Sequence, residues 1–177
     1  MSQIAMQRVL VMGCSGSGKS TFARKLATKL GLPFVSIDQI HWRPGWVEPE
    51  PAQFTAKMTC AAEQPLWVMD GNYMRHGAGA LRRARADTIF WFDLPRWICM
   101  LSVIRRSISG YGVVRPEMAP GCPEKFDLAF YRYVWTYHAL QRPKLVAYLS
   151  ELRPDQRLVA FTTRTQSNEF LARAEAA

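Results

Sequence analysis

The sequence predicts an α/β domain in three layers, a parallel sheet covered by helices on both faces. Two observations predict the layers: five short apolar runs rich in β-branched and aromatic residues, and stretches of helical spacing between them. A third predicts where the chemistry sits. A glycine-rich turn ending in Lys19-Ser20 falls between the first run and the first helical stretch. At 177 residues and 49% hydrophobic composition, the chain buries the larger part of its unfolded surface as one domain, residues 1–177.

The strands are read in order as "RVLVM" (8–12), "FVSI" (34–37), "LWVM" (66–69), "DTIFWF" (87–92) and "RLVAF" (157–161). Each is apolar on both of its faces, the pattern of a strand covered from both sides in a parallel sheet. Helical spacing covers residues 18–30, 51–64, 95–109 and roughly 124–149, with Pro51 and Pro95 where a first turn tolerates a missing N–H. Residues 110–123, "GYGVVRPEMAPGCP", hold three glycines and three prolines and read as a mobile excursion, a candidate lid.

Composition narrows the class. No window approaches the 18 or so apolar residues of a membrane span, and "MSQIAMQRVL" runs straight into a strand with no signal-peptide core, so a cytoplasmic protein is expected. Cys14, Cys60, Cys99 and Cys122 show no C-x-x-C pairing and read as free thiols. A formal charge of +9 fits an anionic partner. Yet 17 of the 23 basic residues are arginines spread along the chain, whereas nucleic-acid arms concentrate their charge in blocks. Guanidinium also suits bidentate phosphate contacts, so the charge alone leaves nucleotide and nucleic acid both open.

The turn decides for phosphate. Gly13-x-x-x-x-Gly18-Lys19-Ser20 matches the P-loop pattern in full, after a strand and at a helix start. Gly13, Cys14, Ser15, Gly16, Ser17, Gly18, Lys19, Ser20 and Thr21 form the expected cradle. Backbone N–H groups surround the β-phosphate, the helix N-terminus adds partial positive charge, Lys19 reaches the β/γ oxygens and the Ser20 hydroxyl ligates Mg²⁺. A nucleoside triphosphate with Mg²⁺ is therefore expected, taken as ATP with GTP left open. Cys14 has either no special role or, with its pKa lowered by the helix dipole, an oxidisable thiol.

P-loops serve several activities. The chain has no Asn/Thr-Lys-x-Asp base-reading motif of a GTPase, and it is short for an AAA-type or helicase ATPase, with no apolar run ending in Asp-Glu. It has "WVMDGNYMR" instead.

That segment, with Asp70-Gly71 and then Arg75, resembles the D-G-x-P-R segment of adenylate kinases, and "ADTIFWFDLPRWICMLSVIRR" resembles the strand, D-x-P turn and arginine-bearing helix that follow it there. Together with "IDQIHWRPGWVEP" and "RPEMAPGCPEKFD", these stretches are similar to the adenylate-kinase-like family often labelled DNA-topology-modulation proteins, over nearly the whole chain. The resemblance implies a P-loop kinase fold with strand order 2-3-1-4-5 and phosphotransferase activity. Asn72-Tyr73-Met74 stands where nucleotide kinases carry a shorter, Pro-containing segment, which leaves AMP as acceptor open.

The remaining site residues follow from position. Asp38 is expected at the end of the second strand, where open α/β sheets bind ligands, as the group that orients an acceptor hydroxyl or as a turn cap. His41, Trp42 and Trp46 line the acceptor pocket or pack at the edge of the core. Asp70, ending the third strand, is placed to handle Mg²⁺ with Ser20, Gly71 permits close approach, and Arg75 holds an anionic group on the acceptor or is solvated. Arg105, Arg106 and Arg115 bracket the lid and are expected to neutralise charge in the transition state, with Arg132 and Arg142 as further inward candidates. Thr162-Thr163-Arg164 follow the fifth strand, where related kinases contact the base through backbone. Two readings stay open: an ATP-dependent small-molecule or nucleotide kinase, monomeric or homodimeric, and a nucleotide-bound regulator associated with DNA topology or nucleic acid.

Overall fold

A computed structural model describes residues 6–174 of the chain. Five strands, β1 (Arg8–Gly13), β2 (Phe34–Ser36), β3 (Trp67–Asp70), β4 (Thr88–Phe92) and β5 (Arg157–Phe161), pair in parallel in the order β2-β3-β1-β4-β5. This is the predicted order.

Alternation along the strands divides the core into two layers. Val9, Val11, Val68, Phe90 and Phe92 face α1 (Lys19–Leu30), α5 (Arg96–Ser109), α6 (Leu128–Leu140) and α8 (Arg164–Arg173). Leu10, Met12, Trp67, Met69 and Ile89 face α2 (Ile37–His41), α3 (Pro51–Glu63) and α7 (Arg142–Leu149). Register brings Val11 beside Asp70 and Gly13 beside Phe92, so the carboxyl ends of β1, β3 and β4 form one edge.

Four differences from the sequence reading have local causes. The second strand stops at Ser36, whose hydroxyl accepts the Gln39 amide and starts α2, so Asp38 lies in the first turn of a helix and not at a strand end. The long C-terminal helix is two, because Pro143 at the start of α7 removes a helical donor and the chain breaks at Gln141. Two helices besides α2 lie outside the predicted stretches: α4 (Gly79–Arg85), and α8, which begins with a capping box between Thr163 and Gln166.

Segment 110–127 links α5 to α6 and is packed. Met118, Ala119 and Cys122 are buried against Trp42 and Trp46. Backbone bonds join Gly45 N to Gly121 O at 2.8 Å, and the Trp46 indole N–H donates to Pro123 O at 3.1 Å.

Candidate active site

The phosphate loop leaves β1 through residues that only glycine satisfies. At Gly13, φ is 142° and a Cβ would lie 2.4 Å from Phe92 O; at Gly16, φ is 81° and a Cβ would lie 2.3 Å from Cys99 O. Gly18, at φ 100°, caps α1 in the left-handed conformation. Of the amides of residues 15–18, only that of Ser17 has an acceptor among the described residues, Cys14 O at 3.3 Å. The others are free for an anion.

The loop is clamped from behind on both sides. The Asn72 amide accepts from Gly13 N at 2.9 Å and donates to Gly13 O at 3.0 Å. Arg164, at the start of α8, donates to Gly16 O at 2.8 Å and to the Ser102 hydroxyl of α5. The residues after β5 thus hold the loop's outward carbonyls. Cys14 is buried beside Cys99, whose hydrogen bond and the burial push the Cys14 thiol up. That direction is opposite to the lowering expected from a helix dipole.

Lys19 and Asp70 meet at the floor, Nζ to Oδ1 at 3.6 Å, both buried. Burial drives the Asp70 carboxyl above its usual range, while Lys19 and a hydrogen bond from Ser20 pull it back. Asp70 Oδ1 is buried with no hydrogen-bond partner. A carboxylate oxygen that has an ion-pair partner but no hydrogen bond, close to the Ser20 hydroxyl and a loop of free amides, fits a site for Mg²⁺.

A cleft of about 1640 Å³ opens from this floor. Its phosphate end is lined by residues 15–21, with Arg106, Arg115, Glu117, Glu124 and Arg164 around it. The cleft continues past Asp38, Trp42, Trp46, Asn72, Tyr73 and Arg75, under Tyr133 of α6. Asp38 accepts from the Tyr73 hydroxyl at 2.9 Å; Tyr73 has φ 34°, left-handed for a bulky residue, and burial pushes its own phenol up. That backbone conformation is held by Arg82, wholly buried, which donates to Tyr73 O at 2.7 Å and to Gly77 O at 3.0 Å. An arginine in "LRRARA" reads as surface charge, so no sequence signal identified it.

The structure does not bring every candidate to this cleft. Arg105 is exposed on the outer side of α5, in a shallow groove with Trp97 and Leu101. Arg132 is exposed on α6, and Arg142 is spent on Asp93, Nε to Oδ1 at 2.8 Å and Nη2 to Oδ2 at 2.7 Å. His41 is packed among the rings of Trp42, Phe54 and Tyr73, and burial holds its imidazole below the usual value. Trp42 and Trp46 line the cleft and also pack against segment 110–127.

Comparisons with known proteins agree with this architecture. The profile of the ATPase family associated with various cellular activities (AAA) matches residues 9–93, from β1 through the end of β4. No curated protein gives a significant match. Among solved structures, shikimate kinase from Bacteroides thetaiotaomicron superposes with a TM-score of 0.57 at 15% identity, over 96% of both chains. Shikimate kinase from Acinetobacter baumannii, in complex with shikimate, gives 0.57 at 16% identity over 94% of this chain and 91% of that one. A gluconokinase from Sinorhizobium meliloti gives 0.54 at 17% identity, over 96% and 90%. The chain therefore has the three-layer fold of the P-loop kinases, built on the sheet order 2-3-1-4-5.

Proposed function

We propose that the protein is an ATP- and Mg²⁺-dependent phosphotransferase acting on a small, hydroxyl-bearing acceptor. The observation that carries this reading is the two-ended cleft: a phosphate cradle at Lys19 and Asp70, continuous with an aromatic chamber containing a tethered carboxylate, Asp38. An NTPase that hydrolyses needs only the first end.

In this reading Lys19 and the loop amides bind the phosphate chain, and Ser20 and Asp70 would hold Mg²⁺, which would supply charge to offset that of the phosphates. Asp38, fixed by Tyr73, orients the acceptor hydroxyl and receives its proton. Arg106 and Arg115 stabilise charge on the transferring group, and segment 110–123 with the two tryptophans excludes the water that would divert transfer into hydrolysis. Arg75, exposed at the rim, meets an anionic group on the acceptor.

The test is turnover of ATP and Mg²⁺ with a panel of nucleosides, nucleoside monophosphates, sugars and sugar acids. Acceptor-dependent ADP release at least tenfold above hydrolysis supports the reading; ATP turnover indifferent to every acceptor sinks it. The charge of +9 favours weighing the nucleic-acid reading beside it. A DNA-binding regulator loses affinity by orders of magnitude between low and moderate salt, so weak DNA affinity with a shallow salt slope excludes it.

A further inference from the structure

Two arginines on the wall of the phosphate end are already matched to an acid. Arg106 of α5 and Arg115 of the linking segment converge on one oxygen, Glu124 Oε1, with Arg106 Nε at 2.9 Å. Neither Nε–H makes an aligned hydrogen bond to it, so charge holds the cluster together and no bidentate fork locks it. All three residues line the cleft into which the P-loop opens.

The acid is the fixed member. Gly112 N donates to Glu124 O and Glu124 N donates to Val113 O, each at 2.9 Å, and the carboxylate is only 7% exposed. The arginines are long side chains, 25% and 21% exposed, and so keep a path to solvent and to the cleft. Arg115 also meets Glu117 at 3.3 Å, whose other partner is Arg24 of α1, the helix that begins in the P-loop. Without Glu124 two guanidinium groups would face each other in a half-buried place. Burial and Arg115 already push Arg106 down, and Glu124 acts against both.

We propose that Glu124 holds the place of a phosphate group: in the free chain it retains Arg106 and Arg115 at the cleft wall, and an entering polyphosphate takes them from it. The proposal rests on the phosphotransferase reading and adds a positioning residue to it. Glu124 keeps the arginines poised where a triphosphate will lie and, because it competes for them, limits how tightly the polyphosphate is held. A buried carboxylate stripped of its partners is costly, so its pull on the arginines also favours release.

Inorganic tripolyphosphate, titrated calorimetrically into the full chain, reads this competition without any need for the acceptor. Glu124→Gln should bind it about tenfold more tightly than the wild type, and its thermal midpoint should be lower without ligand but rise more when tripolyphosphate is added. Glu169→Gln makes the same change in net charge on α8, where Glu169 meets only Arg173 among the described residues, and should alter affinity less than about twofold. Unchanged or weaker binding by Glu124→Gln overturns the proposal, as does an equal gain in both variants. Should Glu124→Gln not fold, Glu124→Asp keeps the charge but withdraws it by one methylene, and tripolyphosphate affinity no higher than the wild type's then overturns it. A wild type that binds neither tripolyphosphate nor ATP with Mg²⁺ defeats the phosphotransferase reading itself. Binding with no gain in the variant defeats only the role of Glu124.

Discussion

Replacing Asn72 by alanine should loosen the phosphate loop without touching a residue expected to contact the nucleotide. The Asn72 side chain makes two hydrogen bonds with one residue, accepting from Gly13 N at 2.9 Å and donating to Gly13 O at 3.0 Å. Each contributes about 1 kcal/mol net, and an amide left without a partner adds about 1 kcal/mol more, so the loss is about 2–3 kcal/mol. For a chain of this length each kcal/mol moves the thermal midpoint by about 2–4 °C, so Asn72→Ala should melt about 4–12 °C lower. Gly13 would also regain backbone freedom that nucleotide binding must then remove, at about 1–2 kcal/mol, which converts to an ATP affinity about tenfold weaker. Differential scanning calorimetry and titration with ATP and Mg²⁺ measure the two quantities. Asn72→Asp separates the two bonds, since a carboxylate still accepts from Gly13 N but faces Gly13 O with a second acceptor; it should fall close to the alanine variant. A midpoint shifted by less than about 1 °C, with ATP affinity unchanged, would refute the clamp.

Lys19→Ala should abolish turnover and weaken ATP binding while the far-ultraviolet circular dichroism stays that of the wild type, because among the described residues the Lys19 ammonium pairs only with Asp70, at the cleft floor; unaltered affinity in a calorimetric titration would contradict this. Asp70→Asn should remove the gain in nucleotide affinity that Mg²⁺ gives. Because the Asp70 carboxyl is raised, protons compete with the metal at a pH above the usual carboxylate range. As pH falls from 7 towards 5 the wild type should therefore lose its Mg²⁺-dependent gain, and a gain that does not change over that range, or that persists in Asp70→Asn, would count against the assignment. Arg106→Ala should reduce phosphotransfer about a hundredfold, while ATP affinity changes by less than about tenfold. Equal losses in rate and affinity would mean that Arg106 acts through ground-state binding alone and adds nothing in the transition state.

The phosphate end of the site was legible because its residues are contiguous and its geometry is a backbone property. Glycine at 13, 16 and 18 states the loop conformation directly, and Asp70 is located by the end of an apolar run. The acceptor end depends on partners far apart in the chain, such as Asp38 with Tyr73 and Trp46 with Pro123, which no local pattern announces. Asp38 was assigned to the cleft for an imprecise reason. Ser36 ends the strand early by capping α2, yet one turn of helix still leaves the carboxylate at the sheet edge. Arginine was the least legible residue type. Arg82 stands in a context that reads as surface charge and is buried, while of three arginines expected at the site Arg106 lines the cleft, Arg105 is exposed and Arg142 is matched to Asp93.

Segment 110–127 shows how one linker presents two different walls to the cleft. Its glycines and prolines predicted mobility, but they also permit the turns by which Met118, Ala119 and Cys122 bury themselves on Trp42 and Trp46. That contact is apolar, is backed by the Gly45–Gly121 and Trp46–Pro123 bonds, and does not respond to the arrival of an anion. The other wall is Arg106 and Arg115 held by Glu124 and Glu117, an arrangement of charges that an anion does rearrange. An acceptor thus meets a chamber whose aromatic side is already assembled, while the phosphate side is completed by exchange of ion-pair partners. Ordering then follows from the bonding type. Tripolyphosphate or ATP should change the environment of the arginines and leave tryptophan fluorescence from the 42–46 loop nearly unmoved, whereas an acceptor seated on the indoles should change that fluorescence on its own. A large tryptophan response to tripolyphosphate alone would show that the two walls move as one body and would remove the basis for treating them separately.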